Sequence, residues 1–324
     1  MKISRLLLAC LIAATGSAAF AAKFNLKMGH AVNTTDGQHA AAMKLAELVK
    51  QRTNGDVEIT IFPSNQLGND GAMINGVRGG TIDIVSSGAS NYNGLVANTA
   101  AMELPFVFRN AQHAYHVLDG DIGTGVLNEL APHNMKGLAY WENGWRAFTN
   151  NKRPVNKPED LKGLKIRSTP NPYHIQAFKL LGMNPSPMPI AELYTALETG
   201  TFDAQEHPIN VTLSAKFYEV QKHLTVSNHV YSPIILSMNK AKFDSMPANY
   251  QKVLVDAARE AATYQRNLNA QNASKVVADL KKSGMQVIEN VDMAPFQKIV
   301  SAEIAKTFGE KNGPALLKAI EDTK

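Results

Sequence analysis

Residues 163–208 read GLKIRSTPNPYHIQAFKLLGMNPSPMPIAELYTALETGTFDAQEHP, and the order of apolar runs and breakers in this stretch decides the fold class. Leu164-Lys165-Ile166 has the length of a buried strand, and it delivers Arg167 to the polar loop Ser168-Thr169-Pro170. A guanidinium keeps its charge at any working pH and presents paired N–H donors that match the two oxygens of a carboxylate, so its natural partner is an anion. Pro170 and Pro172 bar helix until after them, which leaves Ser168, Thr169 and Asn171 on an ordered loop beside the arginine. Tyr173 to Leu181 then reads as a helix stopped by Gly182, and Ala191 to Glu198 as another stopped by Gly200. Thr201 to Ala204 is a further short strand, followed by the turn Gln205-Glu206-His207-Pro208. This repeated strand-loop-helix order predicts an α/β fold with a parallel sheet, its loops facing a crevice at the carboxyl ends of the strands, where Arg167 and His207 both fall.

The same grammar extends toward the N terminus. Phe24 to Met28 is a short strand, Gln38 to Arg52 an amphipathic helix with Ala42, Leu45, Ala46 and Val49 on one face, and Val57 to Phe62 an alternating strand. Ala72 to Arg78 is a helix closed by Gly79-Gly80, and the strand Thr81 to Ser86 empties into Ser87-Gly88-Ala89-Ser90-Asn91-Tyr92-Asn93. That loop suits hydrogen bonding to hydroxyl or carboxylate oxygens, or serves as plain turn chemistry. Leu138 to Glu142 predicts a strand, Asn143-Gly144-Trp145-Arg146 a short Gly-containing segment where the chain could cross from one domain to another, and Ala147-Phe148-Thr149 a second strand. Arg146 is a second cation near a strand end, unless it is a surface ion-pair partner.

Beyond Pro208 a helix runs to Lys222, then Leu224-Thr225-Val226 and Tyr231 to Met238 are strands that carry the return crossing. From Ala248 to Ser283 there is neither glycine nor proline; Ser245 and Pro247 supply a start and Gly284 a stop. A helix of about 36 residues would be about 54 Å long, more than the width of a single domain. Met285 to Ile288 and two helices complete the chain.

Composition narrows the function classes. Lys2 and Arg5, the apolar run Leu6 to Ala14 and the A-x-A site Ala19-Phe20-Ala21 form a secretory signal peptide over residues 1–21. The apolar run before Cys10, the one cysteine, is too short for a lipoprotein signal, so a cleaved product would lack cysteine and with it disulfides, thiolate nucleophiles and cysteine metal sites. The formal charge is +5, two less once Lys2 and Arg5 are removed, and no dense basic block with interleaved aromatics points to nucleic acid. About 300 residues exceed the usual size of a single core, which predicts two domains.

The run KIRSTPNP…LGMNPSPMPIAELYTALETGTFDAQEHP resembles the solute-binding subunit of tripartite ATP-independent periplasmic (TRAP) transporters, with its R-x-P-like loop, ELYTALQTG-type helix and DGQENP turn. Ser64-Asn65-Gln66-Leu67-Gly68, Glu142-Asn143-Gly144-Trp145-Arg146 and Phe217-Tyr218-Glu219-Val220-Gln221-Lys222 extend the resemblance over nearly the whole mature chain. It implies a two-lobed periplasmic binding protein fold, each lobe a mostly parallel sheet flanked by helices, with a long helix spanning both. The expected division is lobe I over 22–143 and 233–272, and lobe II over 144–232 and 273–324. The resemblance further implies a ligand that is a small organic acid, a C4-dicarboxylate or a sugar acid such as a uronate, delivered by a monomer to TRAP permease subunits. No cofactor and no metal are called for. Arg167 would clamp the carboxylate, assisted by Arg146, which matches a substrate-reaching arginine of the family, and by His207. His30, Gln66, Ser87, Asn91 and Asn171 would add polar contacts, Trp145 and Ile190 apolar walls, and Glu206 would brace the turn or an arginine. His207 departs from the family's usual asparagine and would donate as the amide does, with added pH sensitivity.

Enzyme motifs fail on context. Gly123-Thr124-Gly125 begins a G-x-G pattern, but Asn128 stands where the third glycine belongs, and Ser237-Met238-Asn239-Lys240 matches S-x-x-K without its partner motifs. His113 and His116 have metal-binding spacing but no third ligand, and read as a solvated helix face. Glu206 beside His207 invites a hydrolase or isomerase reading, yet no second acid or nucleophile is tied to it by spacing. A ligand-sensing module for a receptor kinase is the third alternative.

Overall fold

The computed structural model describes residues 22–324, so the signal-peptide reading of 1–21, including Cys10, lies outside the described residues. β1 (Phe24–His30) leads to α1 (Gly37–Arg52), which begins where the Asp36 side chain accepts the Gln38 N–H and ends on Lys50 and Arg52, cations suited to a helix C terminus. β2 (Val57–Phe62) is followed by α2 (Asp70–Gly79), capped by Asn69, and by β3 (Ile84–Gly88). α3 (Ala111–Asp119) and α4 (Asp121–Asn128) precede β4 (Met135–Asn150), 16 residues without a break. The alternation predicts two strands here; bulges at Gly137/Ala139 and Glu142/Gly144 absorb the irregularity and make them one.

β5 (Lys165–Ser168), α5 (Pro172–Leu180), β6 (Asn184–Pro187), α6 (Ile190–Glu198), β7 (Ala204–Pro208) and α7 (Ile209–Ser214) come next. β7 starts at Ala204 and takes in Gln205 to Pro208, so the expected turn is a strand. β6 has no counterpart in the sequence reading, because its two prolines argue against strand; they are tolerated since β6 is the outermost strand beyond β5. β8 (His223–Thr225), β9 (Tyr231–Asn239), α8 (Lys240–Asp244), α9 (Ala248–Lys282), β10 (Gln286–Ile288), α10 (Ala294–Asn312) and α11 (Ala315–Asp322) complete the chain.

The strands run in the order β2-β1-β3-β9-β4-β7-β5-β6, with β8 also on β4 and β10 on β8. Parallel pairing holds on the flanks, for β1 with β2 and β3, β5 with β6 and β7, and β8 with β10. The centre is antiparallel, because β9 and β4 traverse the molecule in opposite directions. β4 pairs with β9 from Met135 to Trp145, then with β7 from Arg146 to Asn150. This exchange of partners divides the molecule into its two lobes.

α9 has 35 residues, about 52 Å of helix, and packs along both lobes, on α1 and β4 and then on α7 and β10. Its Ala257, Ala258, Ala261 and Ala262 are buried against α1, whose Ala41, Ala42 and Leu45 are equally buried; small side chains let the axes approach, and each buried leucine such as Leu45 contributes about 1.5–3 kcal/mol. α9 is also fastened to β4 by hydrogen bonds. The Trp141 indole donates to the Ala258 carbonyl at 2.9 Å, and the Gln265 amide both accepts from the Glu142 N–H at 3.0 Å and donates to the Glu142 carbonyl at 2.9 Å. Glu142 lies opposite Pro233, which has no N–H to offer, so a helix side chain completes the sheet at the bulge. Among the described residues no helix is long and apolar enough to cross a membrane.

Gly144 sits at that bulge with φ 124°, and a Cβ there would lie 3.1 Å from Pro208 Cβ. Gly144→Ala should therefore lower the unfolding free energy by about 1–3 kcal/mol, read as a shifted urea midpoint at constant m value.

Candidate functional site

The carboxyl ends of β3, β5 and β7 and the middle of β4 enclose a cavity of about 350 Å³. Arg167 on β5 is 5% exposed and forms its floor. Its Nε donates to the Met188 carbonyl at 2.7 Å, which aims the guanidinium, and Nη1 lies 3.5 Å from His207 Nε2. It forms no ion pair with any carboxylate among the described residues. Burial, then the charge of Arg146, lowers Arg167 to about 10, with Glu206 and Asp70 opposing; the group stays cationic at neutral pH.

Arg146 on β4 also borders the cavity, through Nη1, which donates to Ser232 Oγ at 3.3 Å. Its charge is already matched. Nε bonds Glu206 Oε2, and Nη2 reaches Glu206 Oε1 at 2.8 Å and the Glu206 carbonyl at 2.5 Å. Arg146 is thus half of a buried pair and not a surface ion-pair partner, because β4 and β7 set it beside Glu206 in the sheet interior. Burial alone would raise the Glu206 carboxyl, but the charge of Arg146, with His229 at 3.6 Å, drives it well below the usual carboxylate range.

His207 borders the cavity from β7. Burial, with the charges of Arg146 and then Arg167, holds it well below the ordinary imidazole value, so it is neutral at physiological pH. That direction argues against the expected pH sensitivity near neutrality. From the other wall, Ser87 donates to Asp70 at 2.5 Å and Asn91 donates to Ser87 at 2.9 Å. Ile190 lines the apolar side with Met188, Val211 and Ile234.

The remaining candidates lie elsewhere. His30, at the end of β1, is buried with its ring 3.0 Å from His39, while its neighbours Ala31 and Val32 face the cavity. Gln66 is exposed on the loop before α2. Asn171 is buried as the cap of α5, accepting from the Tyr173 N–H at 2.9 Å. Glu206 reaches the cavity only through Arg146. Trp145 precedes Arg146 on the strand and so points to the opposite side, edge-on to Tyr231 and into a separate hollow of about 910 Å³ beside α9. That hollow is larger, but its main polar groups are matched internally: Glu142 receives Tyr115, Tyr231 and Asn269, and Asp36 receives Gln38, Asn210 and Ser214. His113 is buried with Nε2 2.9 Å from the Ile320 carbonyl, so it anchors the C-terminal helix and does not sit on a solvated face.

Asp70 and Ser232 escaped the sequence reading, as did the buried Glu103 that accepts from Ser90 and Ser232, while Ser90, Asn143 and Thr169, which also line the cavity, were read only as members of their loops and not as ligand contacts. Asp70 had a usable signal, an acid in the first turn of α2. The Ser90–Glu103–Ser232 group had none, since it joins three distant segments.

Comparison with known proteins supplies the context. The profile of the bacterial extracellular solute-binding proteins, family 7 (DctP), matches residues 28–311. The 2,3-diketo-L-gulonate-binding periplasmic protein YiaO of Escherichia coli is 45% identical over 315 residues, covering 97% of this chain and 96% of that one. A TRAP periplasmic solute-binding protein from a Polaromonas species, solved bound to D-erythronate, superposes with a TM-score of 0.90 at 37% identity, over 93% of this chain and 99% of that one. Another from Sulfurospirillum deleyianum, solved with succinate, gives 0.88 at 30% identity, over 94% and 100%. A buried arginine facing a cleft between two lobes, a spanning helix and a match over most of its length place this chain among the bacterial extracellular solute-binding proteins of family 7, the solute-binding components of TRAP transporters.

Proposed function

We propose that this chain captures a small organic acid in the periplasm, holds its carboxylate on Arg167, and hands the closed complex to the membrane subunits of an ion-gradient-driven TRAP permease. The observation that carries this reading is the state of Arg167. It is a buried guanidinium at the wall of a cavity of small-molecule size, and among the described residues its Nη2 has no acceptor and its Nη1 only a 3.5 Å contact. The named ligands of the relatives, diketogulonate, erythronate and succinate, share a carboxylate and differ in nearly everything else.

Closure has its own contacts across the cleft. Asp36 at the start of α1 accepts from Asn210 at 3.3 Å and from Ser214 at 3.1 Å, both on α7, and Asn33 donates to the Ser214 carbonyl. Shutting the lobes excludes water, which strengthens each charge-assisted bond to the ligand. A catalytic role for Glu206 has little support, because its carboxylate is held ionised and fully engaged by Arg146.

Two measurements test the reading. In calorimetric titration with the acid giving the largest thermal shift among aldonates, uronates, keto acids and dicarboxylates, Arg167→Ala should lose about 2–5 kcal/mol of binding free energy while its far-UV spectrum is retained; unchanged affinity would discard the clamp. Affinity should also be flat from pH 6 to 8.5, since Arg167 stays protonated and His207 stays neutral throughout. Anion affinity that rose as pH fell through the ordinary imidazole range would show His207 taking up a proton.

A further inference from the structure

We propose that His207 sets the ligand class of this cleft: its Nε2 is a fixed hydrogen-bond acceptor that selects acids carrying a hydroxyl near the bound carboxylate over dicarboxylates of the same length. The inference rests on the Arg167 reading above and concerns the same cavity.

The tautomer is dictated by a buried chain of hydrogen bonds whose two ends admit no choice. At the far end, Gln221 Nε2 lies 3.0 Å from the Val220 carbonyl and 3.5 Å from that of Asp203. Carbonyl oxygens only accept, so the Gln221 NH₂ faces them and its Oε1 turns to Thr149, whose hydroxyl donates to it at 2.9 Å. Having given its proton, Thr149 Oγ1 accepts from Gln205 Nε2 at 2.8 Å. Gln205 Oε1 therefore faces His207 Nδ1, which must carry the hydrogen, and Nε2 keeps its lone pair. The near end agrees independently. Arg167 Nη1 can only donate, and it is Nε2 that lies before it, at 3.5 Å. Thr149, Gln205 and Gln221 are at most 1% exposed, so no bulk water can substitute for a member of the chain. At 3.5 Å the arginine contact is at the limit of a hydrogen bond, which leaves the lone pair available to a closer O–H from a ligand.

The serines of the lining have the same polarity. Ser87 gives its proton to Asp70, and Ser90 and Ser232 give theirs to Glu103. Having given their protons away, these serine oxygens can only accept, while the guanidiniums of Arg167 and Arg146 and the amides of Asn91 and Asn143 supply the donors of the lining. One carboxylate plus O–H donors complements that pattern; a second carboxylate sets lone pairs against Nε2 and the serine oxygens.

The test uses matched pairs on the full mature chain: erythronate against succinate with four carbons, galactonate against adipate with six. Calorimetry should show the hydroxylated member of at least one pair bound about tenfold or more tighter than its dicarboxylate. The ¹⁵N and long-range ¹H–¹⁵N spectra should show His207 protonated on Nδ1 only. Gln221→Met, which touches no cavity atom, frees Thr149 to donate to Gln205, so the Gln205 amide can turn and the preference should shrink. His207→Asn, whose amide can present either atom, should shrink it as well and keeps the test open should Gln221→Met not fold. A hydrogen on Nε2, equal or tighter binding of the dicarboxylates, or a preference untouched by His207→Asn overturns the proposal while Arg167-dependent binding survives. Binding that persists in Arg167→Lys and Arg167→Ala overturns the clamp instead, and if no panel acid binds, both fall together.

Discussion

The ion pair between Arg146 and Glu206 is the interaction on which the cleft depends. Both side chains are almost wholly withdrawn from water, which costs several kcal/mol per charge and is offset only by good geometry. The geometry comes from register: β4 and β7 run antiparallel from Arg146 opposite Pro208 to Asn150 opposite Ala204, so the carboxylate meets the guanidinium as a fork. Glu206 is consumed by this pairing. Arg167 is left close enough to Arg146 to be destabilised by it, with no carboxylate of its own. The pair thus separates two arginines into a structural cation and one whose donors face the cavity.

Burial, with the charges of the two guanidiniums, holds the His207 imidazole well below its ordinary value. An imidazole between two guanidiniums and out of water has every reason to shed its proton, and the lone pair it keeps points toward the cationic side chain nearest the cavity. Charge in the cleft thus follows from burial and from the placement of Arg146, Glu206 and Arg167 on adjoining strands, and the polarity of Nε2 from the Gln221–Thr149–Gln205 chain behind His207.

How much of this was legible in the sequence depended on how far each signal had to travel along the chain. Arg167 and its loop were legible, because Ile166 and the two prolines are immediate neighbours and fix the strand end locally. The spanning helix was legible from an unbroken run ended by Gly284. β6 was not, since only its outermost position excuses its prolines, and position in a sheet is a tertiary fact. Trp145 and Arg146 cannot both face the ligand, because adjacent residues of one strand point to opposite sides, and that they share one unbroken strand shows only in the sheet. The role of Arg146 needed a partner 60 residues away, and that of His113 a carbonyl 207 residues away. Nothing local announces either.

The amide of Gln265 has a consequence beyond fastening a helix. By meeting both the N–H and the C=O of Glu142, it acts as a one-residue strand lent by α9, so the sheet borrows a rung from an element of another kind. Removing it would strand a peptide group in a dry interior at the junction between the halves. Position 265 accordingly belongs to the sheet's continuity as much as to the helix that carries it.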